Sequence, residues 1–131
     1  MSVLTPYLAV ADTRAALDWY ARALGAVPEG ELIVMDDGSV GHAEMTVGGA
    51  RLMLADSAPD YDSVAPDPDV AAAVTLHLDV ADADAVIEQA RAAGARVDRE
   101  AADTPYGRIG VFRDPFGHRW MINAESGGSD E

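Results

Sequence analysis

The chain runs through one pattern twice, and that repetition limits its fold more than any other feature. L-A-V-A-D-T-R-A-A-L at residues 8–17 returns as L-D-V-A-D-A-D-A-V-I at 78–87. Leu8/Leu78, Val10/Val80, Ala11/Ala81, Asp12/Asp82 and Ala15/Ala85 all stay in step at one constant offset. Each copy reads as a strand of alternating apolar residues, an aspartate N-cap and an amphipathic helix. Gly25 and Gly94 follow the helices at positions suited to a left-handed C-terminal cap. The ends of the copies align too: G-A-R-L-M-L (49–54) resembles G-H-R-W-M-I (117–122). Between these anchors lie two more strand candidates per copy: 31–35 and 40–47, joined at Asp37-Gly38, and then 95–100 and 108–113. Each copy is therefore β-α-β-β-β. Module one spans residues 4–55, a Pro- and Asp-rich linker 56–72, module two 73–124, and a small polar tail, 125–131, reads as disordered.

Composition removes several function classes. At 131 residues the chain has room for one domain with a real core. No apolar run approaches the length of a membrane span, and the start lacks the pattern of a secretory signal, so the expected location is cytoplasmic. Cysteine is absent, which excludes disulfides, thiolate nucleophiles and cysteine-based zinc sites. All nine basic residues are arginine, so lysine Schiff-base chemistry is excluded. A formal charge of −14 opposes nucleic-acid binding and favours cationic ligands, or simply reflects solubility.

The stretch R-D-P-F-G-H-R-W (113–120) reads as a turn into the last strand, with Asp114, Pro115 and Gly117 in type I turn positions. His118 then falls on the helix side and is a poor ligand candidate. Strand parity gives two faces. Leu8, Val10, Leu76, Leu78, Val80, Leu52, Leu54, Trp120 and Ile122 should pack under the helices. Tyr7, Ala9, Thr75, His77, Asp79, Arg51, Met53, Ala55, Arg119, Met121 and Asn123 should point the other way. Trp19, Tyr20 and Leu24 are packing residues at helical spacing.

Paired βαβββ modules of this length, with G-H-A-E (41–44), L-M-L-A-D (52–56) and D-P-F-G-H-R-W (114–120), resemble the vicinal oxygen chelate superfamily. That superfamily includes glyoxalase I, bleomycin-resistance proteins and extradiol dioxygenases. The resemblance implies an α+β fold in which the modules curl a mixed sheet into a cup with the helices outside. It also implies a small-molecule ligand and, in many members, a homodimer. Metal-dependent members place ligands on the first and last strand of each module, the last-strand ligand usually being glutamate. The matching positions are Tyr7, Met53, His77 and Met121. Only His77 is a good ligand for a divalent ion, since thioethers suit soft Cu(I). The inherited metal site therefore reads as lost and no cofactor is expected. If a divalent metal is held, His42, Glu44 and His77 are the replacement set.

The leading expectation is a metal-independent protein enclosing an aromatic or cationic compound, with Tyr7, His42, Glu44, Met53, His77, Asp79, Tyr106, Arg108, Phe112 and Met121 as ligand-binding candidates. Methionines give an adaptable lining. Phe112 and Tyr106 offer stacking surface, and Arg108 on a rim either meets an anionic group or is an exposed arginine with no role. The alternative is a lyase or isomerase with His77 as the best catalytic candidate, helped by His42 and Glu44 as metal ligands or acid–base groups. A third reading is an interaction domain whose cup its own side chains fill.

Overall fold

The structure is a computed structural model, and residues 1–125 are described; the expectation for the tail beyond 125 lies outside them. The element order is β1 (Tyr7–Val10), α1 (Thr13–Leu24), β2 (Val27–Val34), β3 (Val40–Val47), β4 (Ala50–Asp56), a 3-10 turn (Pro59–Tyr61), β5 (Thr75–Asp79), α2 (Ala83–Ala92), β6 (Arg96–Thr104), β7 (Gly107–Arg113) and β8 (Arg119–Ala124). The repeat predicts this βαβββ order twice, and the α+β class follows. The chain divides into two compact units, Met1–Asp67 and the residues from Pro68 onward. No helix among the described residues is long and apolar enough to cross a membrane.

In each unit the first strand pairs parallel with the last, and the remaining pairs are antiparallel. Module one has the order β1-β4-β3-β2, module two the order β5-β8-β7-β6. The helix crossing over between the first and second strands of each copy makes the parallel pair possible, because parallel neighbours need a long connection. Asp12 and Asp82 cap the helices as expected, each accepting from the N–H three residues on at 3.1 and 3.0 Å. Both trailing glycines, Gly25 and Gly94, have positive φ, which a residue with a Cβ adopts only at a cost.

The helix-facing residues form the cores. In module one, Ala16, Trp19, Tyr20 and Ala23 of α1 are buried with Leu8, Val10, Ala43, Met45, Leu52 and Leu54. In module two, Ala83, Ile87 and Ala90 of α2 are buried, as are Phe112, Trp120 and Ile122. The loop before β8 is built on Asp114, which is almost fully buried. Its Oδ1 accepts from the N–H groups of Phe116 (2.9 Å) and His118 (3.0 Å), and its Oδ2 accepts from the Trp120 indole at 2.9 Å. The turn thus locks the register of the last strand.

Two strands differ from expectation. β2 begins at Val27 rather than residue 31, because its register slips between Glu29 and Ile33 around Gly30, which has positive φ. That bulge interrupts the alternation on which the expected boundary depends. β6 runs on to Thr104, past its expected end at residue 100; its outer half, E-A-A-D-T, is mostly exposed and carries no apolar periodicity. Asp56, expected in the linker, closes β4 instead. Its carboxylate accepts from Thr13 N at 2.8 Å and Val40 N at 2.9 Å, tying the helix start to β3.

Candidate functional site

Register decides which side chains share the face opposite each helix. In module one Tyr7 stands beside Met53, Glu44 beside Met53 and Thr46 beside Arg51, so Tyr7, His42, Glu44, Arg51 and Met53 share that face. A continuous chain of hydrogen bonds crosses it from β1 to β4 by way of β3. The Tyr7 hydroxyl lies 2.7 Å from His42 Nδ1 and 3.2 Å from the Gly41 carbonyl oxygen. His42 Nε2 lies 2.8 Å from Glu44 Oε2, and the Arg51 guanidinium donates to Glu44 Oε1 at 3.1 Å.

The electrostatics follow from these contacts. The hydrogen bonds from His42 and then Arg51 hold the Glu44 carboxyl below its ordinary range, so it is ionised. Burial, and then the negative charge of Glu44, push the Tyr7 phenol above its ordinary value, so it keeps its proton at neutral pH. A carboxylate only accepts, so Nε2 of His42 carries the hydrogen between them. The single Tyr7 phenolic hydrogen has two acceptors within reach, the Gly41 carbonyl oxygen and, at the shorter distance, Nδ1 of His42 when Nε2 alone carries the ring hydrogen.

Module two is arranged differently. His77 stands beside Met121 and Asp79 beside Asn123 on the face opposite α2. His77 has loose partners: Asn123 Nδ2 is 3.5 Å from Nε2, and an Asp79 oxygen is 3.9 Å from Nδ1. Asp79 and Tyr106 do come together. With Val80, Ala81, Asn123, Ala124 and Glu125 they line an open depression of about 680 Å³ at the ends of β5 and β8. Asn123 Oδ1 is buried there without a hydrogen-bond partner. Gly107, where φ is positive, makes room for it: a Cβ at that position would lie 2.3 Å from Asn123 Oδ1. Parity alone places Asn123 on this face, but nothing in the sequence marks it or Glu125 as pocket residues.

Two sequence candidates lie elsewhere. Arg108 stands beside Ala124 in the register, on the α2 side. Its guanidinium grips Asp84 of α2 through two bonds of 2.6 and 3.0 Å and pairs with Asp103 at 3.2 Å. These carboxylates, Asp84 foremost, hold it protonated, and they occupy the fork that was expected to meet an anionic ligand. Phe112 is fully buried and stacks on Trp120 with ring centroids 6.3 Å apart and planes 13° apart. It offers a ligand no surface. The run Gly110–Arg113 is buried throughout, so apolar alternation cannot phase this strand.

The four positions that the resemblance matches to metal ligands carry a protonated phenol, two thioethers and one imidazole. The register sets them side by side as Tyr7/Met53 and His77/Met121. This donor set does not suit a hard or borderline divalent ion. Within neither module, among the described residues, do three or more His, Cys, Asp or Glu residues converge to hold a metal.

A family model for the Glyoxalase/Bleomycin resistance protein/Dioxygenase superfamily matches residues 3–122. The chain belongs to this superfamily. An uncharacterized protein of Mycobacterium bovis is 38% identical over 123 residues, covering 91% of this chain and 80% of that relative. A crystal structure of a Pseudomonas aeruginosa protein matches with a TM-score of 0.73 at 27% identity, covering 96% of this chain and 99% of the other. TioX from Micromonospora sp. ML1 matches with a TM-score of 0.68 at 26% identity, covering 95% and 97%.

Proposed function

We propose that this protein is a small-molecule-binding member of the superfamily that holds an aromatic or cationic compound without a metal. The observation that carries the reading is the pairing of Tyr7 with Met53 and His77 with Met121 at the positions where metal-dependent members hold their ion. Thioethers and a phenol give an adaptable, polarisable surface suited to aromatic ligands. The net charge of −14 and the Asp79, Tyr106 and Glu125 lining of the module-two depression favour a cation. A metal-free acid–base lyase or isomerase is the second reading, favoured by the Tyr7–His42–Glu44 hydrogen-bond chain. Homodimer formation is also expected, supported by the exposed Val27, Ile33 and Val34 of β2, an edge strand.

Metal content measured on gently purified protein tests the reading. Expected are substoichiometric Zn, Mn, Fe and Ni and a melting temperature unmoved by chelator. One equivalent of divalent metal per chain, with a melting temperature that drops on chelation, would sink it. Light scattering at several concentrations tests the dimer, and a monomeric mass throughout would exclude it.

A further inference from the structure

Tyr7, His42 and Glu44 line up as hydroxyl, imidazole and carboxylate, the order found wherever a neutral hydroxyl is made nucleophilic by a neighbouring base. Each link is of hydrogen-bond length, 2.7 Å from Tyr7 to Nδ1 and 2.8 Å from Nε2 to Glu44. The second oxygen of Glu44 is held by Arg51, which fixes the carboxylate and through it the ring. The arrangement also satisfies the product of proton transfer. Once Nδ1 carries a proton it donates back to the Tyr7 oxygen, while Glu44 faces the imidazolium. Tyr7 itself is 52% exposed, so the residue is not sealed in the core.

We propose that Tyr7, His42 and Glu44 form a relay that makes the Tyr7 hydroxyl a nucleophile toward a small ligand bearing an electrophilic acyl centre. The Tyr7 oxygen bonds to the acyl carbon as the phenolic proton passes to His42 Nδ1. The bond from that carbon to its leaving group breaks, and the leaving group departs with the electron pair. Glu44 stabilises the imidazolium and acts as a positioning residue. Because burial and Glu44 keep the phenol protonated, no standing phenolate supplies this reactivity; it depends on His42 taking the proton. This activity goes beyond ligand binding: it rests on the hydrogen-bonded geometry of Tyr7, His42 and Glu44 in the metal-free protein, with Tyr7 as a nucleophile rather than a ligand.

The test is acyl transfer from 4-nitrophenyl acetate to the full chain in the presence of chelator, followed by peptide mass spectrometry. The chain contains no lysine, so competing amine acylation is confined to the N-terminus. Tyr61 and Tyr106, each 85% exposed, serve as internal references for an unassisted phenol. Expected is acetyl on Tyr7 ahead of both references, with a fast phase of 4-nitrophenolate release that Tyr7→Phe removes, leaving the slow release from the other nucleophiles. His42→Gln should slow Tyr7 acetylation about a hundredfold, the low end of what a general base contributes, and Glu44→Gln by a smaller factor. Tyr7 reacting no faster than Tyr61 and Tyr106 in the unaltered protein overturns the proposal, whatever the variants do. So does an undiminished Tyr7 rate in folded His42→Gln protein. Neither result bears on metal content, so this proposal and the binding reading fail separately.

Discussion

The two modules share a backbone plan but have used its helix-free face differently. Aligned through their registers, Glu44 beside Met53 corresponds to Val111 beside Met121, and Met45 beside Leu52 corresponds to Phe112 beside Trp120. His42, one residue before Ala43, corresponds to Ile109, one residue before Gly110. Module one therefore carries a hydrogen-bonded polar chain where module two carries isoleucine and valine. His77, the counterpart of Tyr7, is left with contacts of 3.5 and 3.9 Å. The duplicated register preserves which positions are neighbours, and it leaves the chemistry at those positions free to diverge.

The helix-side cores give the strongest way to break the comparison. Phe112 and Met45 are equivalent and fully buried. Phe112→Ala should cost about 4 kcal/mol, removing a stacked aromatic, and Met45→Ala about 3 kcal/mol. Urea unfolding of both variants checks this; equal or reversed losses would show that the two cores are not packed in parallel fashion.

The polar anchors come next, and here the modules are unalike. Asp56 closes β4 in module one, whereas its register counterpart in module two is Ala124. Burial alone would raise the Asp56 carboxyl, but the Val40 and Thr13 hydrogen bonds, with Arg14 nearby, hold it below its ordinary value. Its folded pKa is thus below its unfolded one. The stability it contributes is complete above the ordinary carboxylate pKa and is lost as pH falls through the depressed folded value. Asp56→Asn should cost about 1–2 kcal/mol at neutral pH and shrink the stability lost on acidification. Unfolding free energies measured across the acid range decide it; an unchanged acid slope would remove Asp56 as the source.

The smallest expected effect lies within the module-one face. Since Glu44 helps to raise the Tyr7 phenol, Glu44→Gln should lower Tyr7 ionisation toward its ordinary range. Ultraviolet difference titration in a Tyr61→Phe, Tyr106→Phe background follows it. A Tyr7 transition that fails to move would show that Glu44 and Tyr7 are electrically independent.

Much of this is legible in the residues. The matched strands, Asp12 and Asp82 caps and trailing glycines signal two βαβββ copies, because each signal is local and each recurs. The repeat also pairs Tyr7 with His77 and Met53 with Met121, and parity puts all four on helix-free faces; the strand register then sets Tyr7 beside Met53 and His77 beside Met121. Legibility stops where burial is two-sided or the partner is remote in sequence. Gly110–Arg113 is buried throughout, so period-two reasoning puts Phe112 on the wrong face. Arg108 reads as a free cation because Asp84, 24 positions away, is brought to it only by α2 packing on the sheet.

By itself, then, the sequence determined the repeat and the element order, both of which follow from local propensity and period-two alternation. The tertiary structure alone decided that Tyr7, His42, Glu44 and Arg51 form one hydrogen-bonded chain. These residues sit on three strands, 35 positions separating Tyr7 from His42. Hydrogen bonds depend on tenths of an ångström, and only the sheet register brings side chains that far apart in sequence within such distances.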